Sequence, residues 1–293
     1  MKSECGGKDF GKALQFLSLP SHVMECEMIN SAIGGIGAST LVLVPIVCGR
    51  SNTEMEILKK KYFELYTKDL GQVLASELGG DLESLVLNCL QASEEVFDPD
   101  FHTDSLMKKD METIYKAGQG KFGTNETGLF KILSQRPAVY LKTMNLQYAD
   151  KYGFTIVKVL ETELGGKVEE AATFMLGMKL KPYETIAKLI KTACAGFGTN
   201  ELLLTCALIR YQLVMKKVME AHIEYCKFDL VKHVNDHCVS INAHNLSPLS
   251  SSFLQSESQW RNVLSQRREE TTKSCCSRCA ELRTETRHFC DSS

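Results

Sequence analysis

Two glycine turns in this chain are each followed, 40 residues later, by a glutamate. Glu77 lies 40 positions after Gly37, and Glu163 lies 40 positions after Gly123. Glycine turns let backbone carbonyl oxygens point outward, and a carboxylate from a distant segment adds charge and two more oxygens. Several carbonyls with one bidentate acid suit a hard cation, above all calcium. The repeated spacing therefore predicts calcium sites that are each built from two distant loops.

A third turn, Gly196-Phe197-Gly198, departs from this spacing. His237 or Cys238 falls where the acid is expected, and Asp236 stands close to that position. We therefore expect a weaker third site, or none, with Gly196, Gly198 and Asp236 as its candidate ligands.

The apolar residues follow a helical period. Residues 70–78 place leucines and valines on one face of a helix, and no stretch of the chain sustains a period of two. The motif Ser-Glu-Leu-Gly-Gly at residues 76–80 returns as Thr-Glu-Leu-Gly-Gly at residues 162–166. The glycines are expected to cap the ends of helices, and a short helix is expected to restart after them. We predict an all-α fold made of internal repeats.

The repeats divide the chain into a remnant of a first repeat, two complete repeats, a partial repeat and an unmatched tail. Their predicted bounds are residues 1–20, 21–91, 104–179, 181–240 and 241–293. Between the complete repeats, Asp98-Pro99-Asp100 predicts a linker turn. We expect residues 21–179 to fold well and the remainder to expose apolar surface.

Composition narrows the classes of function. The net charge of −2 gives no overall basic field for nucleic acid. The amino terminus has no apolar core typical of a secretory signal, and the longest apolar run, residues 41–48, is too short to span a bilayer. Seven of the 12 cysteines are scattered through helical patterns, which favours buried thiols in a reducing cytoplasm.

The tail carries the remaining cysteine-rich motif. Cys275-Cys276-Ser277-Arg278-Cys279, followed by His288-Phe289-Cys290, offers four zinc ligands. The gap between Cys279 and His288 is shorter than in usual zinc fingers. The surrounding low-complexity sequence favours a disordered tail over a zinc site.

An arginine follows each glycine turn at a nearly constant distance. These residues are Arg50, Arg136 and Arg210. Arginine side chains often hold helix ends together by donating hydrogen bonds to carbonyl oxygens. We interpret all three as structural.

The turns and their surroundings resemble the annexin family. Residues 116–126, KAGQGKFGTNE, resemble the third annexin repeat, residues 195–201 resemble the fourth, and residues 35–40 resemble a worn second repeat. The resemblance covers about residues 3–240. It implies five-helix repeats in a curved disk, with the first and fourth repeats incomplete here. It also implies a convex face that binds calcium and, through calcium, acidic phospholipids.

The resemblance also implies the ligands, which are loop carbonyls with one bidentate acid. In the third-like repeat they are Gly118, Lys121, Gly123 and Glu163. In the second-like repeat they are Ile33, Gly35, Gly37 and Glu77. Phe122 would lie at the tip of its loop, against the membrane.

The leading functional prediction is a non-enzymatic, cytoplasmic protein that binds acidic membranes peripherally when calcium is present. The alternative is a helical-repeat scaffold that binds cytoskeletal or other protein partners without calcium. An enzyme is disfavoured because the glycine turns lack the dinucleotide-binding pattern and no catalytic triad is evident. Calcium is the only ion or cofactor predicted for this activity.

Overall fold

The computed structural model describes residues 8–34, 39–119, 126–195, 200–227 and 229–239. Within these ranges every regular element is helical, which confirms the all-α prediction. After α1 (Lys8–Ser18), five helices precede the linker: α2 (Ser21–Ile33), α3 (Thr40–Val47), α4 (Asn52–Tyr66), α5 (Leu70–Glu77) and α6 (Gly80–Leu90).

Five more helices follow the linker in the same order of long and short elements. They are α7 (Asp104–Gln119), α8 (Glu126–Gln135), α9 (Ala138–Tyr152), α10 (Ile156–Glu163) and α11 (Gly166–Leu180). The last described helices are α12 (Pro182–Cys194), α13 (Glu201–Arg210), α14 (Met215–Cys226) and α15 (Leu230–Val239). A short 3₁₀ turn, Gln212–Val214, lies before α14.

Three short helices, α5, α10 and α15, start in the same way. A side-chain oxygen of the preceding residue accepts a hydrogen bond from the backbone N–H three residues later. The three capping residues are Asp69, Thr155 and Asp229. The caps fix where each helix begins, and therefore which residue stands at its end.

The paired glycines start α6 and α11, and the C-caps of α5 and α10 are Leu78 and Leu164. The prediction that the glycines cap the preceding helices was therefore wrong, whereas the predicted restart of a helix at this point is confirmed. Gly79 and Gly165 precede α6 and α11 in extended backbone. Gly80 and Gly166 follow at φ of +60° and +58°, which is the left-handed region. A residue with a Cβ would be strained at these two positions. The chain can therefore turn sharply directly after α5 and α10.

The core is continuous from α1 to α15. Helix α11 packs against α3, α6, α8 and α12, and α13 packs against α1, α2 and α3. In α12, α14 and α15, Ile190, Val218 and Val234 are fully buried. The helices described beyond residue 179 therefore share the core, against expectation, although Leu213, Ile223 and Tyr225 are exposed there.

The linker between α6 and α7 is held by ion pairs. Arg136 binds both carboxylate oxygens of Glu95, at 2.7 and 2.8 Å, and Asp110 at 2.7 Å. Lys179 binds Glu94 at 2.8 Å. Arg136 is structural as predicted, but its partners are carboxylates and not carbonyls. Further along, the side chain of Asp98 accepts a hydrogen bond from the N–H of Asp100, which forms the predicted turn.

The six cysteines whose side chains the structure describes form no disulfide. Four are buried and two are half-buried. The buried ones are Cys26, Cys48, Cys194 and Cys206, and the half-buried ones are Cys89 and Cys226. In the described part of the chain, no helix combines the length and apolar character needed to cross a membrane.

Candidate metal sites

A cavity of about 350 Å³ lies between the end of α7 and the end of α10. Gly118, Thr162 and Glu163 line it, so the structure brings together two of the four ligands predicted there. A Cβ atom placed on Gly118 would lie 3.6 Å from Cγ of Glu163 and only 2.8 Å from Cγ1 of Val159. Glycine at position 118 thus permits the close approach of the two helices.

A second cavity, of about 430 Å³, lies at the matching place between α2 and α5. Ile33, Ser76 and Glu77 line it. Here too the structure joins the residue that opens the loop to the acid predicted to complete the site. The two cavities therefore share one construction.

The two cavities also share the residue types around their inner walls. In each repeat, two tyrosines one turn apart end the third helix of the unit, and a valine stands fourth in the short helix that follows. These residues are Tyr62, Tyr66 and Val73 in one repeat and Tyr148, Tyr152 and Val159 in the other, and all except Tyr152 line their cavity. The paired rings have centroids 4.8 Å apart in the first repeat and 4.6 Å apart in the second.

Neither acid that lines a cavity has a partner among the described residues. Glu77 and Glu163 are exposed, and no described residue forms an ion pair or hydrogen bond with either carboxylate. Each is the last residue of its helix, where the helix dipole places partial negative charge. A carboxylate at that end of a helix adds to the negative potential in the cavity and favours a cation, although Lys158 and Lys68, one on the wall of each cavity, offset part of this charge.

Comparison with known proteins identifies the architecture. The sequence profile of the family described as Annexin matches residues 24–89 and 109–174, which include both acids. The chain belongs to the annexin family. Annexin A7 of Dictyostelium discoideum is 28% identical over 242 residues, a match that covers 81% of this chain and 51% of the relative. Annexin A5 of Gallus gallus is 30% identical over 202 residues, covering 69% and 62%. This annexin thus spans about half to three-fifths of these relatives.

Solved annexin structures share the fold. A point mutant of annexin A8 with an intact N-terminus superposes with a TM-score of 0.78 at 21% identity, covering 87% of this chain and 78% of that one. Chicken annexin V gives 0.75 at 22% identity, covering 85% and 78%. Calcium-bound annexin (Sm)1 gives 0.72 at 21% identity, covering 87% and 75%. The predicted fold class, a disk of helical repeats, is confirmed.

The described residues hold only part of each predicted ligand set. The remaining loop positions lie outside them: Gly35, Gly37, Lys121, Phe122, Gly123, Gly196 and Gly198. The ends of two of these loops are nevertheless held by backbone hydrogen bonds. The N–H of Ser39 donates to the carbonyl of Ala32 at 2.9 Å, and the N–H of Asn200 donates to the carbonyl of Ala193 at 2.8 Å.

The start of α15 decides the register of the third turn in this annexin. Glu77 and Glu163 are the eighth residues of α5 and α10. Helix α15 begins at Leu230, so its eighth residue is His237 and not Cys238. Asp236 stands one residue earlier, about 100° around the helix. The third turn therefore has no acid in the position used by the other two.

One acidic pair went unnoticed in the sequence. Asp81, in the first turn of α6, is hydrogen-bonded to Glu126, the first residue of α8. This hydrogen bond, with burial and the repulsion between the two groups, raises the pKa of Glu126. The pair joins residues 45 positions apart, and nothing in the local sequence of either residue indicates the contact.

Proposed function

We propose that this chain binds calcium at two sites and attaches through the bound calcium to acidic phospholipid surfaces. Glu163 with the loop after α7 forms one site, and Glu77 with the loop after α2 forms the other. The observation that carries the proposal is the pair of matching cavities, each joining the residue that opens a loop to an exposed acid without a described partner. The role needs no catalytic group.

The donor set fits calcium, which takes six to eight oxygen ligands at flexible angles. Each acid would supply two oxygens, and loop carbonyls would supply more. We propose carbonyls of Gly118, Lys121 and Gly123 at one site and of Ile33, Gly35 and Gly37 at the other. Positions left on the ion are then open to water or to a phosphate oxygen of a lipid. Phe122 is the proposed contact with the membrane interface.

The net charge of the chain and the number of proposed calcium sites agree with attachment through bound calcium. The chain has a net charge of −2, so a bound divalent ion supplies the attraction to an anionic surface. Two sites on one rigid fold also engage one surface together, which raises the overall affinity above that of each site.

The test is co-sedimentation of the full chain with phosphatidylserine vesicles, in calcium and in chelator. The unmodified chain should pellet only with calcium. Glu163→Gln should raise the calcium midpoint roughly tenfold or more, because each loss of about 1.4 kcal/mol in calcium binding is a factor of ten. Glu77→Gln should act in the same direction, and the double variant should abolish pelleting.

Glu161→Gln is the matched control, because Glu161 is an exposed acid on the same helix that pairs with Lys158. It should leave the calcium midpoint unchanged. If the folded chain pellets equally well with and without calcium, or does not pellet at all, the proposal is wrong. Such a result would favour the scaffold that binds protein partners without calcium.

A further inference from the structure

Three side chains with metal-binding chemistry meet between α14 and α15. His222 and Cys226 lie one turn apart on α14, and His233 comes from α15. One ligand atom from each residue lies within 4.8 Å of the other two. The three residues are far from both cavities in sequence. They belong to the last repeat, which contains the third glycine turn of the chain, the turn without a matching acid.

The two imidazoles already have the separation that one metal ion requires. Nε2 of His222 lies 3.2 Å from Nδ1 of His233. A tetrahedral zinc ion with Zn–N bonds of about 2.0–2.1 Å holds two ligand nitrogens about 3.3–3.4 Å apart. Both rings are buried, so their positions are fixed by packing. Cys226 is half-buried, which leaves a route for an ion and room for the thiol to turn toward it.

The same three positions hold other residues in the two preceding repeats. Helices α4, α9 and α14 all end before a residue in left-handed conformation, which fixes their register. His222 occupies the fully buried position that Tyr62 and Tyr148 hold in the other two repeats. Cys226 occupies the last position of its helix, which is Tyr66 or Tyr152 in those repeats. The fourth residue of the following short helix is Val73 or Val159 there and His233 here.

A pair of buried histidines that share a hydrogen bond is by itself an ordinary core feature. The cysteine beside the histidines makes this cluster different from an ordinary core contact. In the other two repeats the same space is filled by two tyrosines and a valine, which are not zinc ligands. All three positions differ from the other two repeats, and all three hold residue types that bind zinc. We infer that His222, Cys226 and His233 bind one zinc ion, with water in the fourth position.

The ligand types select the metal. One thiolate with two imidazoles suits zinc in tetrahedral geometry, whereas calcium prefers oxygen ligands. Binding breaks the hydrogen bond between the two imidazoles, and the shared proton moves to the other nitrogen of its ring. It also releases the proton of the Cys226 thiol and joins the end of α14 to α15. This site is independent of the proposed calcium sites, and either can fail without the other.

The test uses cobalt(II) as a spectroscopic probe of the full chain, with excess calcium to occupy oxygen-donor sites. The tail cysteines are first changed to serine at positions 275, 276, 279 and 290, so that they contribute no thiolate. This background should bind one equivalent of cobalt with a sulfur-to-metal charge-transfer band and tetrahedral d–d bands. Zinc should displace the cobalt. Cys226→Ser should remove the charge-transfer band, whereas Cys89→Ser, the other half-buried cysteine, should keep it.

A second variant protects the test against a folding defect. His222→Tyr/Cys226→Tyr/His233→Val installs the residues that the same positions hold in the other repeats. It should fold and bind no cobalt. Zinc at a hundredfold excess over its dissociation constant should raise the Tm of the background by roughly 5 °C or more, and should not raise that of the triple variant. A charge-transfer band that survives Cys226→Ser, or a background without any band, would overturn the inference.

Discussion

Arg210 donates a hydrogen bond from Nε to the carbonyl oxygen of Pro45, 3.1 Å away, across 165 positions of sequence. The same guanidinium pairs with Glu25, whose second oxygen lies 3.0 Å from Nη2 of Arg50. One carboxylate therefore ties α2 to both α13 and the end of α3. Arg50 and Arg210 also donate to carbonyls, at Ile46 and Pro45, as expected for structural arginines.

Glu25→Gln should destabilise the fold by about 3 kcal/mol, because it leaves two arginine side chains, only 3% and 10% exposed, without their shared counter-charge. Urea unfolding followed by circular dichroism measures the change. Glu161→Gln removes an exposed pair with Lys158 and should alter stability by less than about 0.5 kcal/mol. Equal losses in the two variants would show that the network contributes no more than a surface pair.

Gly118→Ala should weaken calcium binding at the Glu163 site more than at the Glu77 site. The added methyl would lie 2.8 Å from Cγ1 of Val159, so α7 and α10 must separate where they hold the site. We expect a loss of stability of about 1 kcal/mol, since overpacking outweighs the gain in helix propensity near a helix end.

Gly165→Ala is the control for this substitution. Gly165 follows the same acid, has an extended backbone, and an added Cβ would meet no atom within 4 Å. Calcium titration and urea unfolding of both variants distinguish the steric clash at position 118 from the general effect of replacing a glycine. Equal calcium midpoints for the two variants would contradict the role given to position 118.

The pair of Asp81 and Glu126 should make stability fall as pH rises above about 4.5, the ordinary pKa of Glu126. The folded pKa is raised, so the folded state keeps this proton after the unfolded state has lost it. The stabilisation is complete below pH 4.5 and is lost as pH rises through the folded pKa. The effect should stay below about 1 kcal/mol because the group is partly solvated.

Urea unfolding of the chain and of Glu126→Gln between about pH 4 and 7, in chelator, measures this contribution. The variant should gain stability relative to the unmodified chain as pH rises. Asp81→Asn should reproduce the trend, because it removes the other member of the pair. Stability curves that run parallel over this range would show that the contact has no influence on titration.

Native thiol labelling should distinguish buried from half-buried cysteines. Burial raises the pKa of Cys26 to about 11 and that of Cys206 to about 12. At about pH 8 only about a thousandth of the Cys26 side chain is then thiolate, the reactive form. With chelator present, iodoacetamide should modify Cys89 and Cys226 and spare the two buried thiols until the chain unfolds. Peptide mass mapping reads out each site, and equal labelling of Cys26 and Cys226 in the folded chain would contradict the burial.

The spacing between the glycine turns and the acids is the part of the proposed calcium sites that the sequence alone indicates. Their distance to the glycine turns predicts Glu77 and Glu163 as ligands, and the structure places each beside its loop-opening residue. Calcium binding by these two acids stays a prediction. The glycine pairs were assigned to the wrong helix. Glycine is favoured at both kinds of helix end, and only the observed φ of Gly80 and Gly166 shows which one it serves.

The sequence by itself determined the helices and the spacing of the acids from the glycine turns, because helices depend on hydrogen bonds and apolar faces within a few residues. Tertiary structure alone decided which distant residues meet. The bond from Arg210 to Pro45 and the cluster of His222, Cys226 and His233 each join separate helices. Such contacts arise because a shared core fixes the distance and rotation of packed helices, and local sequence carries no record of either.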